Sequence, residues 1–150
     1  MVRWYSPHTF TTSFTLHSKT AVSFYYHYAF RKLLYKYFEN SYYNLILEGE
    51  SGCGKSSLIN IIIKHYYNNN NLINSHVCYI SLLRDQGIHF YKNEVKIFIN
   101  NCINNSYKKI IVIEDVEMFS DVIQLYFYEL VKNYKNTIYF ILWFWSEVIR

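Results

Sequence analysis

One stretch of this chain has residue types and spacing that point directly to chemistry: Gly49, Glu50, Ser51, Gly52, Cys53, Gly54, Lys55 and Ser56. Its spacing is G-x-x-x-x-G-K-S, the phosphate-binding loop pattern. Backbone N–H groups and a helix N-terminus surround a phosphate there, while lysine and hydroxyl serve the terminal phosphate and Mg²⁺. The glycines permit backbone conformations and a close approach that a Cβ would obstruct. Lys55 contributes a point charge, and Ser56 is a hard oxygen ligand for a metal. The expected cofactors are ATP and Mg²⁺. A glycine turn that merely carries a lysine is the bland alternative, and the flanking sequence weighs against it. The loop follows the apolar run Leu45 to Leu47 and precedes Leu58 to Ile63, which is a strand, a turn and a helix in the order the motif requires.

A second group with chemistry ends another apolar run, Ile110 to Ile113, in Glu114 and Asp115. Phosphoryl transfer needs charge neutralisation, a held metal and an oriented water more than covalent help. Glu114 is expected to hold Mg²⁺ through water and Asp115 to polarise the attacking water. Standing alone, two acids ending a strand are ordinary polar residues; downstream of a phosphate loop they gain a role.

The elements that must position these groups alternate. Strands are expected at Leu45–Glu48, Val77–Leu82, Ile110–Ile113 and Ile138–Phe144. Helices are expected over Ala21–Glu39, from the loop to about Tyr67, from Phe90 to Asn101 with Val95, Phe98, Ile99 and Cys102 on one side, and through Val122, Ile123, Tyr126, Phe127, Leu130 and Tyr134. Ser120 or Asp121 is the expected cap of the last helix. Residues 1–20 read as an irregular leader with a turn at Pro7, and Asn68–Asn71 as a surface loop. Strands alternating with helices give an α/β fold, a parallel sheet with helices on both faces and ligands at the carboxyl ends of its strands. The loop and the acidic pair both fall at such ends.

Composition bounds the rest. At 150 residues and 51% hydrophobic, the chain is long and apolar enough for one domain with a real core. A formal charge of +4 permits a polyanion partner without requiring one. Cys53, Cys78 and Cys102 are widely spaced and odd in number, which suits a reduced intracellular compartment. No signal peptide is recognisable. The longest apolar run, Ile138 to Trp145, is far short of the ~20 residues that cross a bilayer, so a soluble protein with no membrane partner is expected. His8, His17, His27, His65, His76 and His89 have no ligand spacing, and Lys108 and Lys109 read as a surface strand start.

The downstream residues carry a resemblance. Trp4, Tyr5, Pro7 and Phe10 keep the aromatics and proline of a W-x-x-K-Y-R-P-x-x-F segment. Asp85, Gln86, Gly87 and Ile88 follow an N-D-R-G-I pattern, and Lys92 to Phe98 follow V-R-N-K-I-K-x-F. With an ungapped continuation through Glu117, Asp121, Gln124, Tyr134, Thr137 and Phe140, nearly the whole chain resembles the ATPase domain of a replication factor C small subunit. That is a clamp loader with a P-loop NTPase fold of the AAA+ type. The resemblance implies ATP-dependent loading of a sliding clamp onto primed DNA, partner clamp-loader subunits, and a nuclear, viral or other DNA replication compartment. It places Lys92 and Lys96 near DNA phosphate; a solvated helix face is the alternative.

The departures are specific. Glu114 and Asp115 stand where the family has Asp-Glu, Tyr128 and Glu129 where it has an Arg pair, and Trp145 where it has a polar sensor. The chain stops before the family's fifth strand, arginine finger, lid and collar, so residues 21–150 are expected to form an incomplete ATPase domain of four strands. ATP binding is better supported than hydrolysis, which leaves a hydrolysis-deficient scaffold acting through protein contacts as the alternative. An ABC-type ATPase shares the loop spelling but needs an L-S-G-G-Q segment, and residues 100–109 have none. A sheet missing its fifth strand would leave the loop strand as a bare edge and the tryptophans poorly covered, predicting poor solubility.

Overall fold

The computed structural model describes residues 12–16, 32, 44–81, 87–101 and 107–145. A parallel five-stranded sheet runs through it in the order β1-β2-β5-β4-β3, with β1 at Thr12–Leu16, β2 at Leu45–Gly49, β3 at Val77–Ile80, β4 at Lys109–Ile113 and β5 at Ile138–Trp145. The helices are α1 (Lys55–Tyr67), α2 (Asn70–His76), α3 (Ile88–Asn100) and α4 (Asp121–Tyr134), with a 3₁₀ turn at Val116–Met118.

The α/β class and the parallel sheet are as the alternation of elements required. The strand count is not. Thr12–Leu16 lies in the segment expected to be irregular, yet it pairs in parallel with the whole of β2, Thr12 opposite Leu45 and Leu16 opposite Gly49. The fifth place in the sheet is therefore filled from upstream, and β2 is not an edge. The β-branched and aromatic residues of Thr12–Leu16 suit a strand, but five residues carry too short a period to stand out. The physical basis for expecting poor solubility falls with it. Trp143 is 6% exposed, although Trp145 remains 46% exposed. The expected helix Ala21–Glu39 lies outside the described residues except for Lys32, which is helical. Residues 82–86, with Asp85 and Gln86, and Cys102 lie outside them too.

Alternation along the strands divides the core between two faces. Leu45, Leu47, Ile110, Val112, Tyr139, Ile141 and Trp143 pack with Leu58, Ile59, Ile62, Ile63 and Tyr67 of α1. On the opposite face Ile46, Ile111, Ile113, Phe140 and Leu142 meet Tyr91 and Val95 of α3 and Phe127, Leu130 and Val131 of α4. The buried residues of α4 are Gln124, Phe127, Leu130 and Val131; of the expected set Phe127 and Leu130 are buried and Ile123 and Tyr126 pack against the core, whereas Val122 is 64% exposed. Gln124 is accommodated because its Nε2 donates to Phe119 O at 2.8 Å. Ser120 takes the N-cap position of α4 without a side-chain bond.

Two polar features looked unremarkable in the sequence. The asparagine run Asn68–Asn71 is a helix junction rather than a loop. Asn68 ends α1 in the left-handed region at φ 49°, and Asn69 starts α2 by accepting from Asn71 N at 2.9 Å. Lys109 is not merely a surface residue. Its ammonium donates to Phe98 O, Ile99 O and Asn101 O at 2.6, 3.0 and 2.6 Å, satisfying carbonyls that the end of α3 leaves without helical partners.

Among the described residues one buried phenol is unmatched. The Tyr91 hydroxyl is sealed against Phe119 and Phe127 with no hydrogen-bond partner. Tyr91→Phe should therefore raise unfolding stability by about 1 kcal/mol, read as a higher urea midpoint at an unchanged slope.

Candidate functional site

Strand order decides what can meet at the carboxyl end of the sheet. β5 lies between β2, which leads into the glycine loop, and β4, which leads into the acidic turn, so the end of β5 separates the two by one strand spacing on each side. Gly49 is in register with Trp145, and Leu47 with Trp143. Ile113, the last residue of β4, is in register with Leu142. These elements enclose a cavity of about 570 Å³ whose lining includes Gly54, Lys55, Ser56, Asp115, Glu117 and Trp143.

The loop takes the form its glycines allow. Gly52 and Gly54 have φ of 74° and 92°, where an L side chain is strained. Gly54 is also the N-cap of α1. That helix has no side-chain cap and no acid in its first turn, so its first N–H groups and its positive end face the cavity without a competing carboxylate. Lys55 is 8% exposed. Its Nζ donates to Gly49 O at 2.6 Å and Glu50 O at 2.8 Å and lies 3.8 Å from Cys53 Sγ, so the ammonium is held at the floor of the loop. Ser51 and Gly52 line the cavity, while Glu50 and Cys53 are not among the residues that do; Cys53 is buried. This is a cradle of amide donors with one cation and one hydroxyl, a donor set that fits a polyphosphate and its Mg²⁺.

The acidic residues separate. Asp115 lines the cavity with Lys55 and Ser56, and its backbone is left-handed at φ 46°, ψ 53°. Its Oδ1 accepts from the indole Nε1 of Trp143 at 3.0 Å. Glu114 is not part of the lining. Its N–H donates to Ile80 O at 2.9 Å, and its charge is felt by Tyr79 on β3. Burial, reinforced by the Asp115 charge, pushes the Glu114 carboxyl above the usual range. Sequence reasoning assigned the acids to Glu114 and Asp115 and gave no role to Glu117, which stands in the cavity instead. Glu117 Oε1 accepts from Trp145 N at 2.8 Å, and Oε2 is buried without a partner. Two strand-end tryptophans thus supply donors to the two acids, one through its indole and one through its backbone. The available signal was that Trp143 and Trp145 share a strand face; nothing in their residue type suggested a polar role.

Glu117 gives a pH-dependent prediction. Burial, with help from Asp115, raises its carboxyl above 4.5 against the opposing pull of hydrogen bonds and Lys55. The folded state then holds this proton more tightly than the unfolded chain. The favourable contribution is complete below the unfolded value near 4.5 and is lost as pH rises through the higher folded one. Glu114 has the same sign. Glu117→Gln should make the melting temperature fall less as pH rises through this range, and should raise it at neutral pH. A profile unchanged from wild type would contradict this.

The other sites expected from sequence lie elsewhere. Lys92 and Lys96 line one groove of about 380 Å³ between α3 and α4, with Tyr126, Glu129 and Tyr134, and Lys92 Nζ stands 5.5 Å from the Tyr126 ring centroid. Among the described residues no group of three or more His, Cys, Asp or Glu side chains could hold a metal, and no helix is long and apolar enough to cross a membrane.

A parallel sheet with a glycine loop opening a helix at one strand end, and an acid beside it from another strand end, defines a P-loop NTPase-type domain. More narrowly, a family model described as RNA helicase matches residues 45–139, and the chain belongs to that family. No curated protein sequence matches it. The kinship is therefore with a helicase-type P-loop domain, the class that the loop and fold already indicated, and the specific likeness to clamp-loader subunits gains no support from it.

Proposed function

We propose that this chain is an ATP-dependent motor domain that acts on RNA, with ATP hydrolysed in the cavity between the glycine loop and the acidic turn. What supports this reading is that Lys55, Ser56 and Asp115 line one cavity although they come from α1 and from the turn after β4. The loop amides and Lys55 bind and orient the phosphates, for which Lys55 exchanges its carbonyl contacts. Ser56 would hold Mg²⁺ together with Glu117 of the lining, or with Glu114 if its side chain turned from Tyr79, and the ion would supply neutralisation of phosphate charge. Asp115 orients water. The water oxygen bonds to the terminal phosphorus as the bridging P–O bond breaks, ADP leaves, and the water's proton passes to Asp115.

RNA is assigned to the Lys92 and Lys96 groove. Two exposed lysines suit phosphate and the neighbouring tyrosines suit bases, a combination that tolerates any sequence. A second reading, clamp loading on primed DNA with other subunits, rests on the sequence resemblance over Asp85 to Ile88 and Lys92 to Phe98 and the ungapped continuation after them. Phosphate release by the full chain, with Mg²⁺ and ATP, separates them. Stimulation by single-stranded RNA, reduced in a Lys92→Ala, Lys96→Ala double variant with a shallower salt dependence, supports the motor. Stimulation only by primed DNA with a sliding clamp supports the second reading. Failure to bind ATP in a fluorescent titration sinks both.

A further inference from the structure

Asp115 is held from two directions by features unrelated to nucleotide binding. Its backbone occupies the left-handed region, which aspartate tolerates better than most residues other than glycine and which fixes the direction of its side chain. Its carboxylate is exposed to the cavity on one side, while Oδ1 receives the Trp143 indole N–H. Trp143 itself cannot swing. It is 6% exposed, wedged in the α1 face of the sheet, and fixed by the parallel register of β5 against β2. A rigid donor on the strand that separates the loop from the acidic turn therefore sets where the second carboxylate oxygen of Asp115 can be.

We propose that Trp143 is a positioning residue for hydrolysis, orienting Asp115 through its indole N–H so that the remaining oxygen faces the attacking water. This rests on the reading of the cavity as an ATP site. Trp143 touches no reacting atom in this scheme; its effect passes through Asp115. It follows that Trp143 influences turnover and leaves nucleotide affinity alone, because the binding groups are Lys55, Ser56 and the loop amides. Phenylalanine keeps an aromatic ring in the core while removing the donor, and asparagine at 115 keeps an acceptor for the indole while removing the proton acceptor.

The experiment compares wild type, Trp143→Phe, Asp115→Asn and the double variant in the full chain, measuring ATP affinity by fluorescent titration and turnover by phosphate release. Trp143→Phe should lower kcat between about 10- and 100-fold with affinity within about twofold of wild type. The double variant should be no slower than Asp115→Asn alone, since the two act as one unit. A readout independent of turnover is the Trp143 indole N–H signal in the nucleotide-free chain, which should exchange with solvent faster in Asp115→Ala and remain protected in Asp115→Asn. Multiplicative losses in the double variant, or a Trp143→Phe kcat within about twofold of wild type, would overturn the proposal. So would a wild-type chain that binds ATP with Mg²⁺ but does not turn it over, whereas a wild type that fails to bind overturns the ATP site itself.

Discussion

Replacing Lys55 with alanine should weaken ATP binding about 100-fold or more, the largest binding effect expected of any single substitution in the chain. Among the described residues the lysine is the one side-chain cation in the cavity lining. A charge-assisted contact to phosphate is worth about 1.5–3 kcal/mol, and ~3 kcal/mol corresponds to somewhat over 100-fold in affinity. The substitution also removes the ammonium donor from Gly49 O and Glu50 O, leaving Glu50 O the Cys53 N–H at 3.3 Å, which loosens the floor of the loop and adds to the loss. A fluorescent ATP titration in the presence of Mg²⁺ reads the effect, with a thermal melt to confirm that the variant is folded. Affinity within about threefold of wild type would remove Lys55 from the site.

The complementary prediction concerns rate. Asp115→Asn should leave ATP affinity nearly intact while lowering turnover by about 10²–10⁴-fold, the range that a positioned proton acceptor contributes. Affinity is spared because Asp115 stands across the cavity from the loop amides and its removal relieves rather than creates repulsion with phosphate. Glu114→Gln, by contrast, changes a carboxylate outside the cavity lining and should lower turnover less than Asp115→Asn. The same phosphate-release assay ranks the two, and a larger loss at Glu114 would move the water-orienting role from Asp115 to the first acid.

These assignments show which parts of the site were legible in sequence. The loop was legible as strand, turn and helix, because G-x-x-x-x-G-K-S fixes residue type where backbone must approach phosphate and the apolar runs on either side specify strand and helix; that Glu50 and Cys53 stay out of the cavity lining was not. The acidic turn was legible in position but not in orientation. Glu114 and Asp115 are adjacent, and only the left-handed backbone of Asp115 decides that one lines the cavity and the other stands toward Tyr79. Trp145 was expected as a poor substitute for a polar sensor because its ring accepts no hydrogen bond. That property of the ring stands, while the residue's backbone N–H reaches Glu117 and Trp143, two positions earlier, supplies an indole donor. Likewise Lys109 and Gln124 are polar residues whose partners are backbone carbonyls distant in sequence or across a turn, and no local period announces such bonds. The strand at Thr12–Leu16 was missed for a related reason: its identity comes from pairing with β2, not from its own pattern.

That strand has a practical corollary for anyone trimming the gene. The family match opens at Leu45, which makes residue 45 an inviting place to begin a shortened version. Such a version would start with the very strand that feeds the glycine loop, and would strip it of hydrogen-bonding along one whole side, in the middle of what the longer chain keeps as interior. Sticky, self-associating material with an ill-set phosphate cradle would then reflect where the scissors fell rather than any defect of the P-loop domain, and retaining the upstream residues should cure it.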